Sequence, residues 1–161
     1  MSFRRPRVNY TIPVDLRSDE KIDMPTVAGI LESSLYVEDM GRSVAFYQAV
    51  FDFPIVLSAT RLTTLKVSDR DVLILFKRGG SINSATAGEP MISGHDAIGE
   101  IHLAFAITAA DLDTWRTRLS RHGIAIESEA DWDGGSHSLY FRDPDRNLLE
   151  VVTPGIWSMT W

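Results

Sequence analysis

The sequence of 161 residues contains no cysteine. Disulfides, thiolate nucleophiles and sulfur ligands to metal are therefore excluded, and any thiol in its chemistry has to come from a substrate or cosubstrate. No apolar run approaches the ~20 residues that span a bilayer. The N-terminus also lacks the apolar core of a secretory signal peptide. We therefore expect a cytoplasmic protein with no membrane partner.

Positive charge is also scarce. The 16 lysines and arginines are outnumbered by 22 aspartates and glutamates, which gives a net charge of −6. The basic cluster of Arg4, Arg5 and Arg7 is typical of a solvated tail, so nucleic acid is not an expected partner. The 44% hydrophobic content suits a normal core, and the length suits one domain.

The order of predicted elements repeats itself. Residues 1–27 are polar and contain scattered prolines, which predicts an extended arm, and residues 158–161 form a tail. The pattern of module one, residues 28–80, predicts a strand, then a helix that is capped by Asp39 and ends before Pro54, and then three strands. A loop over 81–99 leads to module two, residues 100–157, with the same order and with Gly123 ending its helix. The predicted fold class is α+β, with two βαβββ modules forming a curved mixed sheet around a shared cleft.

The strands are predicted from apolar alternation. Laying one module on the other sets Glu32 against His102 and Leu65 against Leu139, and a one-residue insertion in the turn then sets Leu75 against Glu150. The predicted strands cover residues 30–37, 55–59, 62–67, 72–76, 101–107, 124–128, 138–142 and 148–152. The repeat indicates a duplicated unit.

Three polar residues interrupt these apolar strands. Glu32 lies on the opposite strand face from the apolar residues that follow it, and His102 holds the same place in module two. Glu150 lies within an apolar run, where a carboxylate is costly to bury unless it is paired or bound to a cation. Each alone has an ordinary explanation: a solvent-facing strand residue, a core histidine, and a carboxylate paired with Arg142.

Taken together, these residues favour a metal site. A two-fold relation between the modules would bring Glu32 and His102 together at the axis, and Glu150 on the last strand is placed to join them. One imidazole and two carboxylates suit a divalent ion such as Zn, Mn, Ni or Fe(II).

Other residues are candidates for contacts with a substrate. His137, and less so His95, is placed to act as a general base, although a surface histidine is the more common case. Trp132 and Tyr140 can line an aromatic pocket, or pack in a core or an interface. Arg142 can bind an anionic substrate, or pair with a neighbouring aspartate of the 143–147 turn.

Two motifs resemble a known family. The segment 35–40 followed by 45–51 is similar to the opening strand and helix of the vicinal oxygen chelate superfamily, and the segment 140–150 resembles its closing hairpin. This superfamily includes glyoxalase I, extradiol dioxygenases, fosfomycin-resistance thiol transferases and bleomycin-resistance proteins. The resemblance covers residues 28–157.

The resemblance implies a metal site of three ligands, Glu32, His102 and Glu150, because the fourth position is taken by Leu75. A metal with open positions would act as a Lewis acid on a small substrate with neighbouring oxygens, as in lyases, isomerases and dioxygenases. Glu150 and His137 are then the expected catalytic residues, and two carboxylates favour Mn, Mg, Zn or Ni over oxygen-activating iron. The resemblance also implies a homodimer. The alternative is a metal-free binding protein of the bleomycin-resistance kind, whose negative charge would suit a cationic ligand.

Overall fold

A computed structural model describes residues 25–83 and 92–157, so most of the predicted arm, the tail and part of the 81–99 loop lie outside the described residues. Module one contains β1 (Glu32–Val37), α1 (Met40–Phe51), β2 (Ile55–Ser58), β3 (Leu62–Lys66) and β4 (Val72–Lys77). Module two contains β5 (His102–Ala106), a 3-10 turn (Ala109–Asp111), α2 (Leu112–Arg121), β6 (Ser128–Asp131), β7 (His137–Arg142) and β8 (Leu148–Val152). The predicted α+β fold of two βαβββ modules is confirmed.

The helix boundaries follow from local sequence. Asp39 caps α1, and its carboxylate accepts a hydrogen bond of 2.9 Å from the Arg42 main-chain N–H. Asp52 ends the helix in the left-handed region, with φ of 60°, and Pro54 follows. Gly123 has φ of 69° just beyond α2, a conformation that glycine adopts without a steric penalty. These three predicted boundaries are confirmed.

Each module forms its own four-stranded mixed sheet. The strand orders are β1-β4-β3-β2 and β5-β8-β7-β6, with the first pair of each sheet parallel and the others antiparallel. Strands β1 and β5, which begin with Glu32 and His102, therefore both lie at a sheet edge.

The strand register corrects the predicted alignment of the modules. Glu32 pairs with Val72 and His102 with Leu148, so two residues further along it is Ile74, not Leu75, that corresponds to Glu150. Leu75 is fully buried in the core. Because strand side chains alternate with a period of two, a register error of one residue moves a side chain to the wrong face. The conclusion drawn from Leu75 is unchanged, because Ile74 is no metal ligand either.

The strand predicted over 124–128 is wrong in position. Strand β6 covers Ser128–Asp131, and the preceding segment makes one main-chain bond to β7, from Glu127 N–H to the Tyr140 carbonyl at 2.8 Å. Ile124 and Ile126 alternate because they pack against the core, not because they pair in the sheet. The paired residues are mostly exposed and polar, so apolar alternation does not mark them.

One hydrophobic cluster joins the two modules. It contains one face of each sheet and the apolar sides of both helices, and its fully buried members include Leu35, Val37, Tyr47, Val50, Leu65, Leu73, Leu75, Leu119, Leu139, Phe141, Leu149 and Val151. Because both sheets turn these faces to the shared core, their other faces, here called the open faces, point away from it. Neither described helix is long and apolar enough to cross a membrane.

Polar contacts fix how the modules pack. The Tyr47 hydroxyl donates to the buried Asp143 carboxylate at 2.9 Å, and the Ser43 hydroxyl donates to Asp145 at 2.7 Å. Arg118 of α2 donates to the carbonyl of Ala49 at 3.0 Å. These bonds join α1 to module two, so they fix the orientation of the two open faces relative to each other.

Candidate metal centre

His102 and Glu150 meet on the open face of module two. They lie on neighbouring strands β5 and β8, with Nε2 of the imidazole 3.1 Å from Oε2 of the carboxylate. The Glu150 side chain is 6% exposed and that of His102 is 49% exposed. The pair is therefore anchored on the carboxylate side and open to a ligand on the histidine side.

The hydrogen bond of the second ring nitrogen determines the tautomer of a neutral His102. Nδ1 lies 3.1 Å from the main-chain carbonyl of Leu148. A carbonyl can only accept, so Nδ1 carries the hydrogen and a neutral imidazole has its lone pair on Nε2. That lone pair faces a carboxylate oxygen, and two acceptors at this distance need a proton or a metal cation between them. A carbonyl behind a histidine ligand is also the usual arrangement at metal sites, so these residues suit a divalent metal.

A hydrogen-bond chain orients the carboxylate. Trp132 donates from its indole N–H to the Ser138 hydroxyl at 2.8 Å, and that hydroxyl donates to Oε1 of Glu150. Oε1 is thereby satisfied, which leaves Oε2 directed at His102. Ser138 was not a predicted site residue. Its signal in the sequence is only that it lies two residues before Tyr140, on the same face of one strand.

The structure places two predicted substrate-binding residues, Trp132 and Tyr140, next to this pair. The Tyr140 ring lies 6.1 Å from the His102 ring, and Trp132 is 38% exposed beside it. Burial, more than the Glu150 carboxylate, raises the pKa of Tyr140, so its hydroxyl is a donor at neutral pH.

Arg142 is occupied by carboxylates. Its guanidinium binds Glu100 at 2.8 Å and Glu127 at 3.0 Å. The predicted alternative, an ion pair of Arg142 with an aspartate of the 143–147 turn, is wrong, because Asp143 and Asp145 bind α1 instead. An arginine that is already doubly paired is poorly suited to bind an anionic substrate.

Glu32 lies apart from the pair. It is exposed on the open face of module one, where it lines a pocket with Ile74, Phe76 and His95. In the part of the chain that the structure describes, no three histidine, aspartate or glutamate side chains converge to hold a metal. One chain therefore supplies His102 and Glu150 together and Glu32 separately, because the two open faces point away from the shared core.

His137 lies on the other face of β7. It lies on the same strand face as the core residues Leu139 and Phe141, and it contacts Asp131, Glu129 at 3.2 Å and Arg116 of α2. The hydrogen bond with Glu129 is the main cause that raises the pKa of His137, and Asp131 adds to it. This position makes His137 part of a surface ion-pair cluster and separates it from Glu150.

The raised pKa predicts how stability depends on pH. Folding favours protonated His137, so its contribution is complete below the unfolded value of about 6.5 and is lost as the pH rises through the raised folded value. We expect the difference in unfolding free energy between the parent and His137→Gln to shrink between roughly pH 6 and pH 8. Urea unfolding across this range measures it, with the exposed His122→Gln as control. A difference that stays constant with pH would contradict the prediction.

Comparison with known proteins finds relatives over most of the chain. Residues 26–151 match the family model described as the Glyoxalase/Bleomycin resistance protein/Dioxygenase superfamily. The metallothiol transferase FosB of Shouchella clausii is 30% identical over 132 residues, covering 79% of this chain and 81% of the relative. The fosfomycin resistance protein FosX of Listeria innocua is 24% identical, over 78% and 89% of the two chains.

Solved structures share the fold. A lactoylglutathione lyase from Agrobacterium tumefaciens has 34% identity and a TM-score of 0.76, covering 84% of this chain and all of its own. A variant of FosX from Listeria monocytogenes, complexed with Mn(II) and 1S,2S-dihydroxypropylphosphonic acid, has 20% identity and a TM-score of 0.57, covering 78% and 90%. The second likeness shows the fold alone.

Proposed function

Since the chain belongs to the glyoxalase/bleomycin resistance protein/dioxygenase superfamily, we propose that it is a divalent-metal-dependent enzyme acting on a small molecule. Its ligands are His102 and Glu150 of one chain and Glu32 of a second copy. The observation that carries the proposal is Nε2 of His102 facing Oε2 of Glu150 at 3.1 Å, with Nδ1 held by the Leu148 carbonyl, an arrangement that a metal ion between the two atoms would satisfy.

A second copy supplies the third ligand because Glu32 lies too far from the pair within one chain. Strands β1 and β5 both lie at sheet edges, and Leu31 and Ile101, which immediately precede Glu32 and His102, are 71% and 39% exposed. Edge β1 of one copy set beside edge β5 of another brings Glu32 to His102 and covers these apolar side chains. Two-fold symmetry then makes two equal centres in a homodimer.

One nitrogen and two carboxylate ligands suit Mn, Zn, Ni, Mg or Fe(II). When bound, the metal supplies Lewis-acid polarisation of a substrate that has two neighbouring oxygens. The chain supplies the rest: Ser138 holds the Glu150 carboxylate, Leu148 holds His102, and the Tyr140 hydroxyl is a hydrogen-bond donor next to the pair. Trp132 forms an apolar wall on the same face.

The relatives favour transfer or lyase chemistry over oxygenation, since they include a metallothiol transferase and a lactoylglutathione lyase. The chain has no cysteine, so a thiol in such a reaction belongs to the cosubstrate. His137 is not part of the proposed site, because it lies on the opposite face of β7.

Elemental analysis of purified, untagged protein tests the proposal. We expect about one equivalent of divalent metal per chain. The element then directs the substrate search, with iron favouring oxygenation and manganese, nickel or zinc favouring transfer and isomerisation. Metal below roughly 0.1 equivalent per chain after supplementation with Mn, Zn, Ni and Fe(II) would contradict the proposal and favour a metal-free binding protein.

A further inference from the structure

A pocket on the open face of module one shares Glu32 with the proposed metal centre. Its floor contains Ile74 and Phe76, and its wall includes Ser81 and His95, which come from the two sides of the long loop. Glu32 begins β1, and Tyr36 lies on the same face four residues further along the strand. A molecule bound at Glu32 can therefore extend over the floor toward His95.

Two aromatic side chains hold His95 in that wall. Its Nδ1 lies 2.6 Å from the Tyr36 hydroxyl, and its ring meets the Phe76 ring edge-on, with 4.7 Å between ring centroids. The Tyr36 ring in turn stacks on Phe76 with centroids 5.6 Å apart. In residues 25–83 and 92–157, the hydrogen bond of this imidazole is made through Nδ1, so Nε2 is the ring nitrogen that remains for a ligand.

The loop around His95 is tied to the end of β4. The His95 main-chain N–H donates to the Ser81 carbonyl at 2.7 Å, and Gly79 N–H donates to the Asp96 carboxylate at 3.0 Å. Gly94 crosses close to this turn, where a Cβ would lie 1.9 Å from the Ile82 carbonyl oxygen. Only glycine allows that approach, so the wall of the pocket is built by specific contacts.

The Ser81 hydroxyl gives an independent sign of a ligand. Ser81 is 2% exposed and lines the pocket, yet its hydroxyl has no hydrogen-bond partner within the described ranges. A buried hydroxyl without a partner is unfavourable. A polar group of a bound molecule would satisfy it.

From these contacts we infer that His95 and Ser81 bind the part of the substrate that extends away from the metal, and that Tyr36 positions His95. The inference rests on the proposed function, since Glu32 marks the metal end of the pocket. The ligand class is a small molecule with metal-chelating oxygens at one end and a further oxygen-containing polar group at the other. Its short carbon body lies over Ile74 and Phe76.

Histidine NMR of the Zn- or Mg-loaded protein tests the inference, because the chain has only 4 histidines. The probes are 1,2-dihydroxypropylphosphonate, which carries a polar group at each end, and acetohydroxamate, which chelates but lacks the second group. We expect the phosphonate to shift the His95 ring resonances and acetohydroxamate to leave them unchanged. No His95 shift with the phosphonate would overturn the inference.

Variants measure the size of the contact. His95→Ala should weaken phosphonate binding about tenfold, the loss expected for one hydrogen bond, and His95→Gln should recover part of it. Tyr36→Phe should weaken the phosphonate less, and none of the three should change metal content or acetohydroxamate binding. His122→Ala, on the exposed end of α2, is the matched control. Equal phosphonate affinity in the parent and His95→Ala would overturn the inference.

Metal content and phosphonate binding distinguish failure of the metal site from failure of the pocket. If the parent binds no metal, the proposed function fails, and phosphonate titration of the metal-free protein still reports on His95. A His95 shift there supports the pocket alone, and its absence overturns the pocket as well.

Discussion

We expect Glu150→Ala to lose its metal. Glu150 is the buried carboxylate of the pair, and its Oε2 lies 3.1 Å from Nε2 of His102. Removing even a partner of a metal ligand costs about 10–100-fold in affinity. Loss of a ligand itself should therefore weaken binding on the order of 100-fold or more. Metal titration with a competing chelator gives the affinity, and elemental analysis gives the stoichiometry.

The fold of this variant should persist. A buried carboxylate is costly to keep in a metal-free protein, so its removal relieves part of that cost. Glu150→Gln preserves the shape and can still accept from Ser138, and it should lose metal like the alanine variant. Glu127→Ala is the matched control, because that carboxylate is exposed and pairs with Arg142. Parental metal affinity in Glu150→Ala would contradict the assignment of this ligand.

Glu32→Ala should lose metal to a similar extent, about 100-fold in affinity, although its side chain is not near His102 in the same chain. Glu32 is exposed, so the substitution should leave the free energy of unfolding of the metal-free chain nearly unchanged. Glu38→Ala is the matched control, since Glu38 closely follows the same strand and pairs with Arg78 at 2.6 Å on the surface. The comparison uses the metal-binding titration described for Glu150. Unchanged affinity in Glu32→Ala would remove Glu32 from the site.

Local features of the fold were predictable because each depends on a few neighbouring residues. The Asp39 cap, the end of α1 before Pro54 and the turn at Gly123 follow from backbone chemistry that acts over one helical turn. The strands with strong apolar alternation were predicted within one or two residues. Strand β6 was misplaced because its paired residues are mostly exposed and polar, while the apolar residues before it pack on the core.

The candidate site was predictable in part. Equivalent positions in the two modules predicted Glu32 and His102 as ligands, and the cost of burying a lone carboxylate predicted Glu150; of these three, the structure brings His102 and Glu150 together. The sequence could not show which faces of the two sheets meet, because alternation defines two faces without saying which one packs on the other module. For the same reason it could not separate Glu32 from the His102–Glu150 pair.

The contacts that support the site depend on distant packing. Ser138 matters because β7 and β8 pair in one register, and His95 matters because its loop folds back on Tyr36. His137 had the better sequence argument as a base, yet the alternation of β7 places it beside Arg116 and Glu129. The local sequence around a loop histidine or a strand serine does not show whether its side chain will lie at the site or at the surface.

If each metal centre is shared between two copies, mixing two defective chains should restore part of the metal binding. Glu32→Ala retains His102 and Glu150, whereas His102→Ala retains Glu32, so each homodimer lacks a complete centre. After equal amounts are unfolded together and refolded, half of the dimers are mixed and each has one intact centre. We therefore predict recovery of about a quarter of the parental metal content. A mixture that binds no more metal than the separate variants, with chain exchange confirmed by a size tag, would contradict the shared centre.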